Sequence, residues 1–156
     1  YVRTGRPLEH LPQDLPQDLT GQAAGAFVSL HIEGRLRGCI GTIAPTQENV
    51  AWEIVQNAVS ACARDPRFPP VGTEELDKLE YNVDVLGQPE PVDDPSQLDP
   101  RQYGVIVSCG SRRGLLLPDL DGVDTVEQQL DIARQKGGIR AGEPCQIQRF
   151  QVVRHR

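Results

Sequence analysis

The residues of this chain best suited to chemistry are one cysteine and the arginines around it. Arg35, Leu36, Arg37, Gly38, Cys39, Ile40 and Gly41 run consecutively. In an extended strand alternate side chains share a face, so Arg35, Arg37 and Cys39 are expected to project together, with Leu36 and Ile40 opposite. Gly38 and Gly41 flank the thiol and leave room for a ligand to approach the backbone. Two guanidiniums beside a sulfur favour thiolate over thiol, the condition for a nucleophilic or redox-active cysteine. His31, on a preceding run, is the candidate base, and the catalytic candidates are therefore Cys39 and His31. Arg64 and Arg67 bracket a proline-rich loop, and Arg112 and Arg113 lie in a glycine-bounded turn. Guanidinium forks suit carboxylates and phosphates. If these loops converge on the strand, then Arg35, Arg37, Gly38, Gly41, Arg64, Arg67 and Arg113 line a cleft for a small anionic ligand. Two plainer arrangements compete: Cys39 as a small buried hydrophobe, and arginines neutralised internally by Asp65, Glu80 and Asp84.

The remaining reactive residues offer less. Asp84 and Asn82 are a carboxylate and an amide that could reach the same cleft or simply form a solvated strand face. Cys62 falls on an apolar helical stripe and reads as core. Cys109 and Cys145 have no partner legible from their spacing, and no C-x-x-C pair exists for zinc or thioredoxin-type redox chemistry. There is no G-x-G-x-x-G, G-x-x-x-x-G-K-[ST], H-E-x-x-H or G-x-S-x-G, so no cofactor and no metal is expected. Four cysteines without a visible leader are expected to be reduced thiols in a cytoplasm.

The elements that must position Cys39 follow from periodicity. Val28, Leu30 and Ile32 alternate with Phe27, Ser29 and His31, and a second alternating run covers 35–42. Between them a three-residue loop, Ile32-Glu33-Gly34, is expected, because it opposes Leu30 to Leu36 and Ala26 to Ile40. It would also stack His31 with Arg35 and Ser29 with Arg37. Pro45-Thr46 opens a helix, with Thr46 as cap and Val50, Ile54, Val55, Ala58, Val59 and Cys62 as its apolar stripe. Asp65-Pro66 stops it. Leu79, Tyr81, Val83 and Val85 form a half-buried strand with an acidic face. Val105-Ile106-Val107 is a buried strand, turned back through 110–114 into Leu115-Leu116-Leu117. Asp124 is expected to cap the last helix, Gly137-Gly138 to stop it, and 145–153 to form a closing strand. This order gives an α+β fold with a mostly antiparallel sheet, hairpins and two main helices. Residues 1–25, polar and proline-rich, read as an N-terminal arm preceding a domain over 26–156.

Composition sets outer limits. In 156 residues there are 13 prolines and 15 glycines, too many for a helical bundle. Sixteen basic against 22 acidic side chains leave a net charge of −6, which disfavours a nucleic-acid-coating surface. No apolar run is long enough for a membrane helix.

The stretch Leu36-Arg37-Gly38-Cys39-Ile40-Gly41-Thr42, followed by Arg64-Asp65-Pro66-Arg67-Phe68-Pro69-Pro70, resembles the AMMECR domain family. Tyr103-Gly104-Val105-Ile106-Val107 and Arg113-Gly114-Leu115-Leu116-Leu117-Pro118 fit the same pattern. Gly122-Val123-Asp124-Thr125-Val126-Glu127-Gln128-Gln129 is most similar to the bacterial branch, AmmeMemoRadiSam system protein A. The resemblance implies two unequal lobes and a helix ending at Tyr1-Val2-Arg3, in keeping with a start other than methionine. It also implies a Memo-like protein and a radical-SAM enzyme as partners in a modification system. In the alternative, the domain is a non-catalytic adaptor that presents Trp52, the proline-rich loop and the arginine turn to such a partner. Of the cysteines, only Cys39 is carried over as the family's motif cysteine.

Overall fold

The computed structural model describes residues 1–156. The chain forms an α+β fold with two antiparallel four-stranded sheets, divided into two compact units of unequal length. The first comprises Tyr1–Leu86 with Val153–Arg156, the second Gly87–Val152. No helix is long and apolar enough to cross a membrane.

In the first unit a short helix α1 (Gln17–Thr20) precedes the hairpin β1 (Ala26–Ile32) and β2 (Arg35–Gly41). Helix α2 (Val50–Ala63), a 3₁₀ turn (Thr73–Lys78) and β3 (Leu79–Leu86) follow. The sheet order is β2-β1-β3 and then a final strand from the end of the chain, Val152–His155, so β2 is an edge. The alternation in β1 behaves as expected: Ala26, Val28 and Leu30 are buried, while Phe27, Ser29 and His31 are half-buried on the other face. Val28 and Leu30 pack with Ala61 and Val71, joined by Ile40, Ile54, Ala58 and Val83. Residues 1–5 form one hydrogen-bonded turn, with Gly5 N donating to Tyr1 O at 2.7 Å and Gly5 left-handed at φ 70°.

The hairpin differs from expectation in a way that reorganises the candidate site. Its loop has two residues, Glu33 and Gly34, both left-handed at φ 51° and 74°, rather than three. A β-bulge then follows: Leu30 pairs with Gly38, but His31 pairs with Leu36, which leaves Arg37 as the extra residue. The conflict that favoured a three-residue loop, Leu30 beside Arg37, is relieved by extruding Arg37 from the ladder. Helix α2 also begins later than the expected Thr46 cap. Asn49 is the cap and accepts from Trp52 N at 3.0 Å. Thr46 instead serves the buried carboxylate of Glu53, which gathers the chain between β2 and the helix. Glu53 accepts from Thr42 Oγ1 and Thr46 Oγ1 at 2.7 Å and from the N–H groups of Thr46 and Gln47 at 2.8 Å.

In the second unit β4 (Glu90–Pro91), β5 (Gly104–Cys109), β6 (Arg112–Leu116), α3 (Val126–Lys136) and β7 (Gln146–Phe150) build a sheet of order β4-β7-β5-β6. Helix α3 covers a core of Val105, Val107, Leu116, Leu130 and Ala133. A Cβ on Gly114 would sit 1.7 Å from Ala133 O, so the close approach of helix and strand requires glycine there. Thr125, not Asp124, caps α3, in a capping box with Gln128. The single closing strand expected over 145–153 is two strands: β7 ends at Phe150, and β8 (Val152–His155) joins the first sheet. The break at Gln151 is where the chain changes sheets.

Candidate functional site

The bulge decides which side chains accompany Cys39. Beyond it every residue of β2 changes face, because a shift of one residue inverts the strand's sidedness. Arg35 pairs with Ile32 and therefore lies on the face opposite Cys39, while Leu36 pairs with His31 and joins the cysteine's face. Leu36 is accordingly exposed at 40%. The expectation that Arg35, Arg37 and Cys39 project together thus fails for a specific reason, the extra residue at Arg37. On the face away from α2, the residues form rows across three strands. Cys39 lies beside Ser29, and Ser29 beside Asn82; Gly41, Phe27 and Asp84 make a second row; Leu36, His31 and Glu80 a third. His31 is offset from Cys39 and does not sit opposite it. Its Nδ1 is buried with no hydrogen-bond partner. Asp84 is held by Arg154 of β8 at 2.7 Å.

Neither glycine opens the backbone to a ligand. A Cβ on Gly38 would lie 2.3 Å from Ala61 O, so Gly38 is the contact at which α2 meets the strand. Gly41 is covered by the Phe27 ring, whose Cγ would be 2.2 Å from an added Cβ.

The loop after α2 explains what the arginines do. Arg64, exposed, closes the helix, and Pro66 prevents its continuation. Asp65 turns inward with its side chain 2% exposed. Its Oδ1 accepts from Arg67 N and Nε at 3.0 Å, and its Oδ2 accepts from Arg67 Nη2 at 2.8 Å and from Cys39 N at 2.9 Å. Arg67 Nη2 also donates to Cys39 O at 3.1 Å. Cys39 would otherwise present an unpaired N–H and C=O at a sheet edge; the Asp65–Arg67 pair takes both. Arg37 serves the same loop from the strand side. Its guanidinium donates to Glu75 at 2.8 and 3.0 Å and to the carbonyls of Pro69 and Pro70 at 2.9 and 3.3 Å.

The electrostatics follow from these contacts. Hydrogen bonding to Arg67, against the cost of burial, holds Asp65 well below the usual carboxylate range. The Arg67 guanidinium is raised chiefly by Asp65, and it also interacts with the Cys39 side chain by charge and hydrogen bond. The Arg37 hydrogen bond lowers Glu75. For Glu53, burial alone would raise the carboxyl, but the Thr42, Thr46 and Gln47 donors outweigh it and the net direction is down. Of the arginines expected around Cys39, one is therefore brought to it: Arg67, 55% exposed, bonds its carbonyl, and its charge acts on the thiol. Arg113 lies in the second unit, on β6 opposite Ser108. Asp65 neutralises Arg67 as the internal-pairing alternative expected, whereas Glu75, which takes Arg37, was not anticipated. The signal for Asp65 was present in Asp65-Pro66-Arg67, where the proline turns the carboxylate back toward the following arginine. No group of three or more His, Cys, Asp or Glu side chains is placed to hold a metal ion.

Comparison with known proteins sets this arrangement in a family. A protein of Thermotoga maritima is 54% identical over 158 residues, covering 100% of this chain and 90% of its own length. A Clostridium acetobutylicum protein is 47% identical across 100% of this chain, which spans only 33% of that relative. An uncharacterised Pyrococcus horikoshii protein of known crystal structure superposes with a TM-score of 0.88 at 32% identity, over 99% of this chain and 82% of that one. The AMMECR1 family model matches residues 1–155, and the chain belongs to the AMMECR1 family.

Proposed function

We propose that this AMMECR1 domain acts in the cytoplasm as a component of a radical-SAM- and Memo-linked modification system, with Cys39 as a nucleophile or covalent acceptor on the outer face of the first sheet. The observation that carries this reading is the exposed Arg67 guanidinium held against Cys39 by a 3.1 Å hydrogen bond to its carbonyl, close enough for its charge to act on the thiol. A guanidinium in that position stabilises negative charge on sulfur and attracts an anionic reagent. Ser29 and Asn82, in the same row, supply a hydroxyl and an amide to orient the group that reacts, and His31 is the nearest imidazole on that face. Arg37 braces the loop rather than binding the ligand, since Glu75 and two carbonyls already occupy it.

The test compares iodoacetate with iodoacetamide at neutral pH, with each cysteine followed by mass spectrometry in the folded protein. Cys39 is expected to react faster than Cys62, Cys109 and Cys145, with a preference for the anionic reagent that Arg67→Ala removes. Equal labelling of all four cysteines would overturn the reading.

A second reading has its own support. Pro66, Arg67, Pro69 and Pro70 are exposed on a loop held rigid by Asp65, Arg37 and Glu75, a suitable shape for an adaptor that docks a Memo-like or radical-SAM partner. Unchanged partner recovery and unchanged activity of the complex with Cys39→Ser would favour the adaptor.

A further inference from the structure

The two cysteines that spacing left without partners are neighbours in the second unit. Strands β5 and β7 are antiparallel, with Val107 paired to Ile147 and Ser108 to Gln146. The next position in that register sets Cys109 beside Cys145, one step beyond the last ladder pair. Alternation places Cys109 on the face of Val107 and Cys145 on the face of Ile147, and all three partly buried residues, Cys109, Cys145 and Ile147, pack on the core that includes Val107. The two thiols therefore share a face. Opposed residues of an antiparallel pair have Cα atoms about 4.5–5.5 Å apart, within the roughly 4.4–6.8 Å window of a disulfide. All four cysteines of the chain are free thiols here.

A second observation bears on the same pair. Each sulfur has its own guanidinium: Arg112 Nη2 donates to Cys109 Sγ at 3.3 Å, and Arg134 Nη2 to Cys145 Sγ at 3.8 Å. Arg112 is fixed by Glu143 at 3.0 Å and by Gly138 O at 2.9 Å. Arg134, from α3, also pairs with Asp131 through Nη1 at 3.5 Å, and its buried Nε has no partner. Cationic donors at both sulfurs stabilise the negative charge that passes between them during thiol–disulfide exchange.

We propose that Cys109 and Cys145 are a dithiol that closes reversibly to a disulfide by exchange with a small-molecule disulfide of the glutathione type. One cysteine thiolate attacks a sulfur of that disulfide, whose S–S bond breaks; a thiolate leaves and takes up a proton. The second cysteine loses its proton and attacks the protein sulfur of the mixed disulfide, and the second small thiol departs. Two protein thiols are oxidised, and one external disulfide is reduced to two thiols. The bond ties the start of β7 to the end of β5. It also takes both sulfurs away from Arg112 and Arg134. This inference is independent of the role proposed for Cys39.

The experiment equilibrates the folded chain in buffers of rising oxidised-to-reduced glutathione ratio. Free thiols are then blocked by alkylation and the protein is digested without reduction for mass spectrometry. The expected product is a peptide pair joined through Cys109 and Cys145, lighter by two hydrogens, with Cys62 alkylated; glutathione on Cys39 would report that cysteine's own reactivity and does not bear on the pair. Cys145→Ser is expected to trap a glutathione mixed disulfide on Cys109 instead. Glutathione on both cysteines without a cross-link, or two alkylated thiols at every ratio, would overturn the proposal. So would a cross-link formed only in urea. Because the readout is on the wild-type chain, it does not depend on a variant folding.

Discussion

Arg67 donates from Nη2 to the carbonyl oxygen of Cys39 across 3.1 Å while the same nitrogen holds Asp65 at 2.8 Å. The loop that follows α2 is thereby bonded to the open edge of β2 where a further strand would otherwise pair. The ends of this clamp differ in exposure: Arg67 is 55% exposed and Asp65 2%. Removal of the carboxylate is therefore the more damaging change, because a buried charged acceptor organises several donors at once.

Asp65→Asn keeps the shape but replaces a charged acceptor by an amide. It is expected to destabilise the chain by about 2 kcal/mol, the scale of hydrogen bonds to a charged group, and to raise the alkylation rate of Cys39 as the loop loosens. Urea unfolding and cysteine labelling would measure the two effects. A variant as stable as wild type would show that the clamp contributes nothing.

Glu53→Gln places an NH₂ group against donors. Glu53 is 0% exposed and receives four hydrogen bonds from Thr42, Thr46 and Gln47. A loss of roughly 3 kcal/mol is expected, from donors left unsatisfied in a buried site. The readout is the urea midpoint, and a shift no larger than that of a surface Glu→Gln control would contradict it.

Acid should weaken the fold through the same carboxylates. Asp65, Glu53 and Glu75 are all lowered in the folded chain, so the unfolded chain binds more protons as pH falls. Their contribution is fully present above the unfolded carboxylate range, near pH 4, and is lost as pH falls through the lower folded values. Unfolding midpoints measured from pH 7 downward should be flat at first and then decline steeply in acid. Asp65→Asn should flatten part of that decline. A fold that gained stability on acidification would reverse the sign.

Two glycines of the hairpin should respond differently to alanine. At Gly38 an added Cβ would lie 2.3 Å from Ala61 O, so α2 must move and a loss of more than about 2 kcal/mol is expected. At Gly34 there is open space, and only the left-handed φ of 74° is strained, costing about 1 kcal/mol. Thermal melting of the two variants tests the order; a Gly34 variant less stable than the Gly38 variant would contradict it.

Local pattern made much of this fold legible. The alternation of Val28, Leu30 and Ile32, the apolar stripe of α2, the Pro66 stop and the buried run Val105–Val107 are each set by short-range rules. The hairpin register was not, because its two-residue loop depends on Glu33 adopting a left-handed conformation that its residue type does not advertise. The bulge at Arg37 is likewise stabilised from a distance, by Glu75 and the Pro69 and Pro70 carbonyls.

The sequence by itself determined which residues are apolar, where helices and strands can run, and that Cys39 stands among arginines. Only the tertiary structure decided which arginine reaches it. One extra residue in a strand inverts every side chain beyond it, and so Arg35 turned away, Arg37 became a brace and Arg67, from a separate loop, came to Cys39 through its carbonyl. The juxtaposition of Cys109 and Cys145 was equally inaccessible, since it follows from the register of two strands far apart in the chain, which no local spacing signals.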